Sequence, residues 1–193
     1  MPSAEHDLRY LEAGVDVLED YLMSSDIFWP IGISAPSGER PYPQLTLGNL
    51  ILSSARVHSR ELNGTQRAKL AELDEQMGTI RTRWRVAWGR KAANEFRSRL
   101  NMWRNYLEEY RENPGGNYDR YAYEVRLRVV LHLLGVEAED IPEAEISLLG
   151  GLDNLLQAVF VPGGFVWEPE LASGFPPDPY WYLYGSLRKP AGS

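Results

Sequence analysis

Apolar side chains recur at steps of three and four through most of the chain as far as Val159, which marks a succession of amphipathic helices. The longest run covers residues 65–112 without a proline. Leu70, Leu73, Met77, Ile80, Trp84 and Ala87 form its first stripe, and the rhythm resumes after Gly89 at Ala92, Phe96, Leu100, Trp103, Leu107 and Tyr110. A straight rod of that length would extend roughly 70 Å at 1.5 Å per residue, more than a domain of this size needs. A bend is therefore expected at Gly89, where the stripe shifts phase, or next at Gly78.

Four shorter helices are expected around this one. Ser3 caps the first, which reaches about residue 23 on Leu8, Leu11, Val15, Leu18 and Leu22. Thr46 caps the second, which Asn63-Gly64 closes. A third covers 118–134 after the Asn113-Pro114-Gly115-Gly116 break, and Pro142 opens a last one bearing Ile146, Leu149, Leu152, Leu156 and Val159, with Gly150-Gly151 as the place to split it. Residues 24–44 read as a loop rich in proline and glycine that nevertheless carries Phe28, Trp29 and Tyr42. Pro162-Gly163-Gly164 reads as the turn of a short hairpin, and Asp178-Pro179 as the start of a short aromatic helix. The expected architecture is an all-α, five-helix bundle organised on one long, kinked helix. Extended segments rich in Pro, Gly and aromatics pack over it, with residues 1–161 forming the bundle and 162–193 a C-terminal extension.

Charge adds a second pattern. Arg83, Arg90, Arg97, Arg104 and Arg111 fall seven apart with Lys69 on the same frame, so they share one edge of the long helix. Glu5, Glu12 and Glu19 form a matching acidic row. The two rows predict that the first helix packs antiparallel on the second half of the long one, Glu opposite Arg. Between Arg81 and Arg104, Glu95 is the single acid among eight Lys or Arg. Residues 129–187 contain no Lys or Arg at all.

Composition narrows the chemistry. Cysteine is absent, which removes disulfides, thiolate nucleophiles and cysteine metal sites. The start of the chain lacks a signal-peptide pattern and no apolar run approaches a membrane span, so a cytoplasmic location is expected. The three histidines, His6, His58 and His132, are far apart and in no metal-binding spacing, and no serine-nucleophile or phosphate-loop motif occurs. No catalytic residue, metal or cofactor is assigned. The residues singled out for binding are the arginines Arg90, Arg97 and Arg104 and the aromatics Trp29, Tyr42, Trp167, Tyr180 and Trp181. The leading expectation is a non-enzymatic interaction or structural module whose partner is another protein or a second copy of itself. The alternative is a small-molecule binder or enzyme with an aromatic, Arg-bearing pocket built by the 24–44 loop and the tail. Nucleic-acid binding through the basic helix ranks third, because outside 81–104 acids outnumber bases by 26 to 12.

Overall fold

The computed structural model describes residues 2–189; residue 1 and residues 190–193, the end of the expected extension, lie outside the described residues. The fold is mainly α-helical. In order it runs α1 (Ala4–Asp16), α2 (Leu18–Met23), α3 (Leu47–His58), α4 (Gly64–Arg83), α5 (Arg85–Glu112), α6 (Pro114–Asn117), a 3-10 turn (Tyr118–Arg120), α7 (Tyr121–Glu124), α8 (Arg126–Glu137) and α9 (Glu143–Val159). Strand β1 (Phe160–Phe165), a 3-10 turn (Pro169–Leu171), α10 (Pro177–Tyr180), a further 3-10 turn (Trp181–Leu183) and β2 (Tyr184–Leu187) complete it.

Side-chain caps start the helices where the sequence places them. The Ser3 hydroxyl accepts the His6 amide at 3.2 Å and the Thr46 hydroxyl accepts that of Asn49 at 3.1 Å. Asn63, expected to close the second helix, instead starts the next one: α3 already ends at His58, and Asn63 and Gln66 form a reciprocal capping box on α4. Each cap satisfies amide donors that the first helical turn leaves without an internal partner.

The long helix breaks at Trp84, not at Gly89. Trp84 has φ −108° and ψ 31°, while hydrogen bonds on either side of it (Trp84 N–H to Ile80 O, 2.8 Å; Trp88 N–H to Trp84 O, 2.9 Å) keep the two halves continuous. The halves bury against different partners: α4 lies on α1, whereas α5 packs most extensively on α8. Gly89 serves another purpose, since a Cβ there would stand 2.7 Å from Glu139 Cγ in the connector that crosses it.

That division also overturns the expected seam between α1 and the second half of the long helix. The acidic row meets α4 instead: Lys69 Nζ lies 2.7 Å from Glu12 and Arg83 Nη1 3.4 Å from Glu19, while Glu5 pairs within α1 with Arg9 at 3.0 Å. The face of α5 that α1 was to cover is held by α8, whose Leu127, Val129, Val130, Leu131 and Leu134 are all buried. Because Glu12 and Lys69 are both open to solvent, Glu12→Gln is expected to change the free energy of unfolding by less than about 1 kcal/mol in a urea titration.

Three further expectations are corrected. Helix α9 runs through Gly150-Gly151 without a break. Pro162-Gly163-Gly164 does not turn a hairpin but lies within β1, which pairs antiparallel with β2 (Phe160 opposite Leu187, Pro162 opposite Gly185) across an irregularity between Pro162 and Phe165. Gly185 makes this pairing feasible, because its φ is +155° and a Cβ would sit 2.3 Å from the Val161 carbonyl oxygen. The third helix is segmented into the 3-10 turn and α7 before α8 continues past Gly135 to Glu137, and the break expected before it is itself a short helical turn, α6.

The aromatic tail is held by carbonyls as well as by packing. Tyr121 Oη donates to Tyr182 O at 2.6 Å, Trp167 Nε1 to Ala122 O at 3.0 Å and Tyr184 Oη to Phe175 O at 2.9 Å. His132 is half-buried with its ring edge-on to Tyr180 at 5.1 Å, and burial, helped by the charge of Arg128, holds its pKa below the ordinary 6.5. A histidine depressed in the folded state is neutral there while the unfolded chain still takes up a proton, so stability is full above pH 6.5 and is lost as pH falls toward the folded value. Urea midpoints measured across that window are expected to fall with acidification less steeply in His132→Gln than in the parent protein.

Candidate functional site

Charged side chains leave water only at high cost unless they are paired. Here two such pairs lie buried beside one opening. Asp7, 1% exposed, sits on the inner face of α1 one turn before Leu11. Both of its oxygens are gripped by Arg56 of α3, Nε at 3.0 Å and Nη2 at 2.5 Å, and Arg60 Nη1 adds a third contact at 3.2 Å. Arg56 Nη2 also donates to the Ser53 hydroxyl at 3.1 Å.

The second pair is built on α5. Glu95, fully buried, accepts the Gly48 amide at 2.8 Å in the first turn of α3, where the helix dipole favours a negative charge. Only glycine permits this approach, since a Cβ at position 48 would fall 2.8 Å from Glu95 Oε1. The same carboxylate accepts Arg99 Nε at 2.9 Å, and Arg99 Nη2 donates to Thr46 Oγ1 at 3.0 Å. Each arginine is thus anchored from behind by a buried carboxylate, while its Nη1 makes no hydrogen bond among the described residues.

Both arginines line a cleft of about 480 Å³ between α1, the 40–44 segment, α3, α5 and the α7–α8 junction. Arg40 and Arg126 line it as well, against a single acid, Asp7, that two guanidinium groups already share. Arg126 lies over the Tyr123 ring at 3.8 Å, donates Nη2 to the Tyr123 hydroxyl at 2.9 Å and stands 3.5 Å from Glu124. Burial first, and the charge of Arg99 in addition, hold its guanidinium below the usual arginine range. Phe28, whose ring centroid is 5.7 Å from Arg99 Cζ, and Tyr123 are both exposed at the rim. His6 is buried in the wall. Its Nε2 donates to the Arg40 carbonyl oxygen at 3.0 Å, and Nδ1 has no partner among the described residues.

Of the residues that the sequence marks for binding, Trp167 lines this cleft and Tyr42 packs behind it, its ring tilted 52° to that of His6 at 4.7 Å. The structure places the others elsewhere. Trp29 bridges by backbone to Leu45, Tyr180 and Trp181 pack with Phe175 and Phe160 in the tail, Arg97 pairs with Glu145 at 2.5 Å, Arg104 lies 3.9 Å from Glu108 on its own helix, and Arg90 is exposed. The arginines that converge are thus Arg40, Arg56, Arg99 and Arg126, none of which belongs to the seven-residue row. Among the described residues no helix is long and apolar enough to cross a membrane. Comparison with protein-family models, curated proteins and solved structures finds no match for this chain.

Proposed function

We propose that the protein binds a small anionic molecule, carrying a phosphate or carboxylate group, in the cleft between α1, α3 and α5. The observation that carries this reading is the pair of arginines, Arg56 and Arg99, each oriented by a buried carboxylate and each with an unspent donor beside the same opening. Guanidinium forks fixed in this way bind carboxylate or phosphate at little ordering cost. Arg126 adds a charge that burial and Arg99 both disfavour, and an incoming anion would relieve that repulsion. The exposed rings of Phe28 and Tyr123 at the rim suit a ligand whose acidic group is attached to a planar one.

The test is a thermal-shift and calorimetric titration with inorganic phosphate, pyrophosphate and benzoate, run on the parent protein and on Arg126→Gln. At least one probe is expected to raise the Tm saturably. Arg126→Gln is expected to weaken that probe roughly tenfold to a hundredfold, the equivalent of about 1.5–3 kcal/mol for a hydrogen bond to a charged group, with little change in unliganded stability. An equal response of the two proteins, or no response to any probe, would overturn the reading. Nucleic-acid binding along the long helix has less support, because Glu19, Glu108 and Glu145 lie against Arg83, Arg104 and Arg97 and interrupt a phosphate track.

A further inference from the structure

Helix α9 leaves an unusual amount of itself uncovered. Of its seventeen residues only Leu152 and Leu156 are buried, and Leu155 is 51% exposed. Ala144, Leu148, Gly151, Leu155 and Ala158 follow one another at steps of four, three, four and three, the spacing of a coiled-coil seam. Four of these five positions are exposed and Leu148 is half-buried. The seam borders an apolar groove of about 390 Å³ against α5, lined by Leu107, Leu152 and Val159 together with Arg104, Glu108 and Arg111, of which Arg104 and Glu108 lie 3.9 Å apart and leave Arg111 as the charge unpaired among the described residues. Gly150 and Gly151 face open space, although glycine is an unfavourable residue in a helix interior and is expected where another backbone comes close.

We infer that this face is an interface between two copies of the chain, with α9 of one copy lying antiparallel on α9 of the other and crossing at Gly151. The seam is self-complementary about that point: Ala144 meets Ala158 of the second copy, Leu148 meets its Leu155, and two glycines face each other at the axis. Each large residue is thereby flanked by small ones, as a twofold-symmetric contact requires. Charge selects the same arrangement. Arg97 pairs with Glu145, and equal rise along the two helices brings Arg111 level with the C-terminal end of α9. Arg111 forms no ion pair among the described residues, and neither do Asp140 and Glu143 at the N-terminal end of α9. Antiparallel pairing lays the acidic end of one α9 beside Arg111 of the other copy, twice by symmetry. The cation-free run of residues 129–187 means that α9 brings no cation up to Arg111. This inference does not rest on the anion cleft.

Sedimentation velocity on the full chain over a wide dilution series tests it. The parent protein is expected to show a concentration-dependent dimer, and Leu155→Glu, at a half-exposed position that the fold does not need, to raise the dimer Kd at least tenfold with an unchanged circular dichroism spectrum. Arg111→Glu is expected to weaken the dimer, and the swap Arg111→Glu with Glu143→Arg to restore it. A monomer at every concentration overturns the inference, including one whose groove takes up laurate instead. A dimer indifferent to Leu155→Glu overturns it as well.

Discussion

Replacing Asp7 by alanine is expected to lower the free energy of unfolding by about 3–5 kcal/mol, because it leaves buried guanidinium charge without its counter-charge. Asp7 is 1% exposed and the Arg56 side chain 10%, so water at the cleft replaces only part of what the lost carboxylate supplies. Arg60 keeps Glu170 at 2.7 Å and the Pro2 carbonyl at 2.7 Å, which confines the uncompensated charge mainly to Arg56. A urea titration of the variant gives the value directly. The double variant Asp7→Leu with Arg56→Met is expected to recover much of the loss, since an apolar pair of similar volume avoids the desolvation of both ions. A loss below about 1 kcal/mol for Asp7→Ala would mean that water reaches Arg56 from the cleft far more freely than its burial indicates.

Glu95→Ala is expected to cost a similar amount, about 3–5 kcal/mol, through two separate orphans. Arg99 loses the acceptor of its Nε, and the Gly48 amide loses its acceptor inside the core. This substitution also acts on the site. With Glu95 gone, only the Thr46 hydroxyl and a long contact of 3.4 Å to Asn49 still direct the Arg99 fork, so anion affinity is expected to fall even under conditions where the variant remains folded. Glu95→Gln separates the two roles. A glutamine keeps an acceptor for Gly48 but supplies no charge to Arg99, so it is expected to recover part of the stability and little of the binding.

The long helix and its neighbours were legible because periodicity is a local signal. Phe96, Leu100, Trp103, Leu107 and Tyr110 are buried as their spacing predicts. The partner of each helix was not legible to the same degree. A row of arginines seven apart fixes which edge of α5 they occupy and says nothing about which helix lies beside it; α8, apolar on most of its surface, won that face from α1 by burying more hydrocarbon. The break at Trp84 falls where the long helix passes from α1 to α8, and glycine spacing carries no trace of it. In β1, Gly163-Gly164 resembled a turn because turn chemistry is read over four residues, whereas the partner strand begins nineteen residues after Phe165, at Tyr184.

The cleft was legible only in fragments. Asp7 on the inner stripe of α1 and the Glu95–Arg99 pair inside the Ala92–Phe96–Leu100 stripe are charges at positions where the rhythm demands apolar side chains, and Glu95 stood out as the single acid of the basic stretch. Those misfits were the available signal. What the sequence could not show is that Arg56, forty-nine residues from Asp7, closes one pair, or that α3 brings Gly48 onto Glu95. The seven-residue row runs along one edge of the helix, where Arg83, Arg97 and Arg104 meet Glu19, Glu145 and Glu108 and do not converge on one site. Irregular placement of charge against the core periodicity was the better guide to the arginines that converge.

The most direct test of the central claim follows the arginine Nε–Hε signals by nuclear magnetic resonance while pyrophosphate is added to the full chain. Arg56, Arg99 and Arg126 are expected to shift together and saturably, with Arg90, Arg97, Arg104 and Arg111 left in place. Saturable shifts on the exposed row with the cleft arginines unmoved, or weak unsaturable shifts spread over all of them, would contradict it.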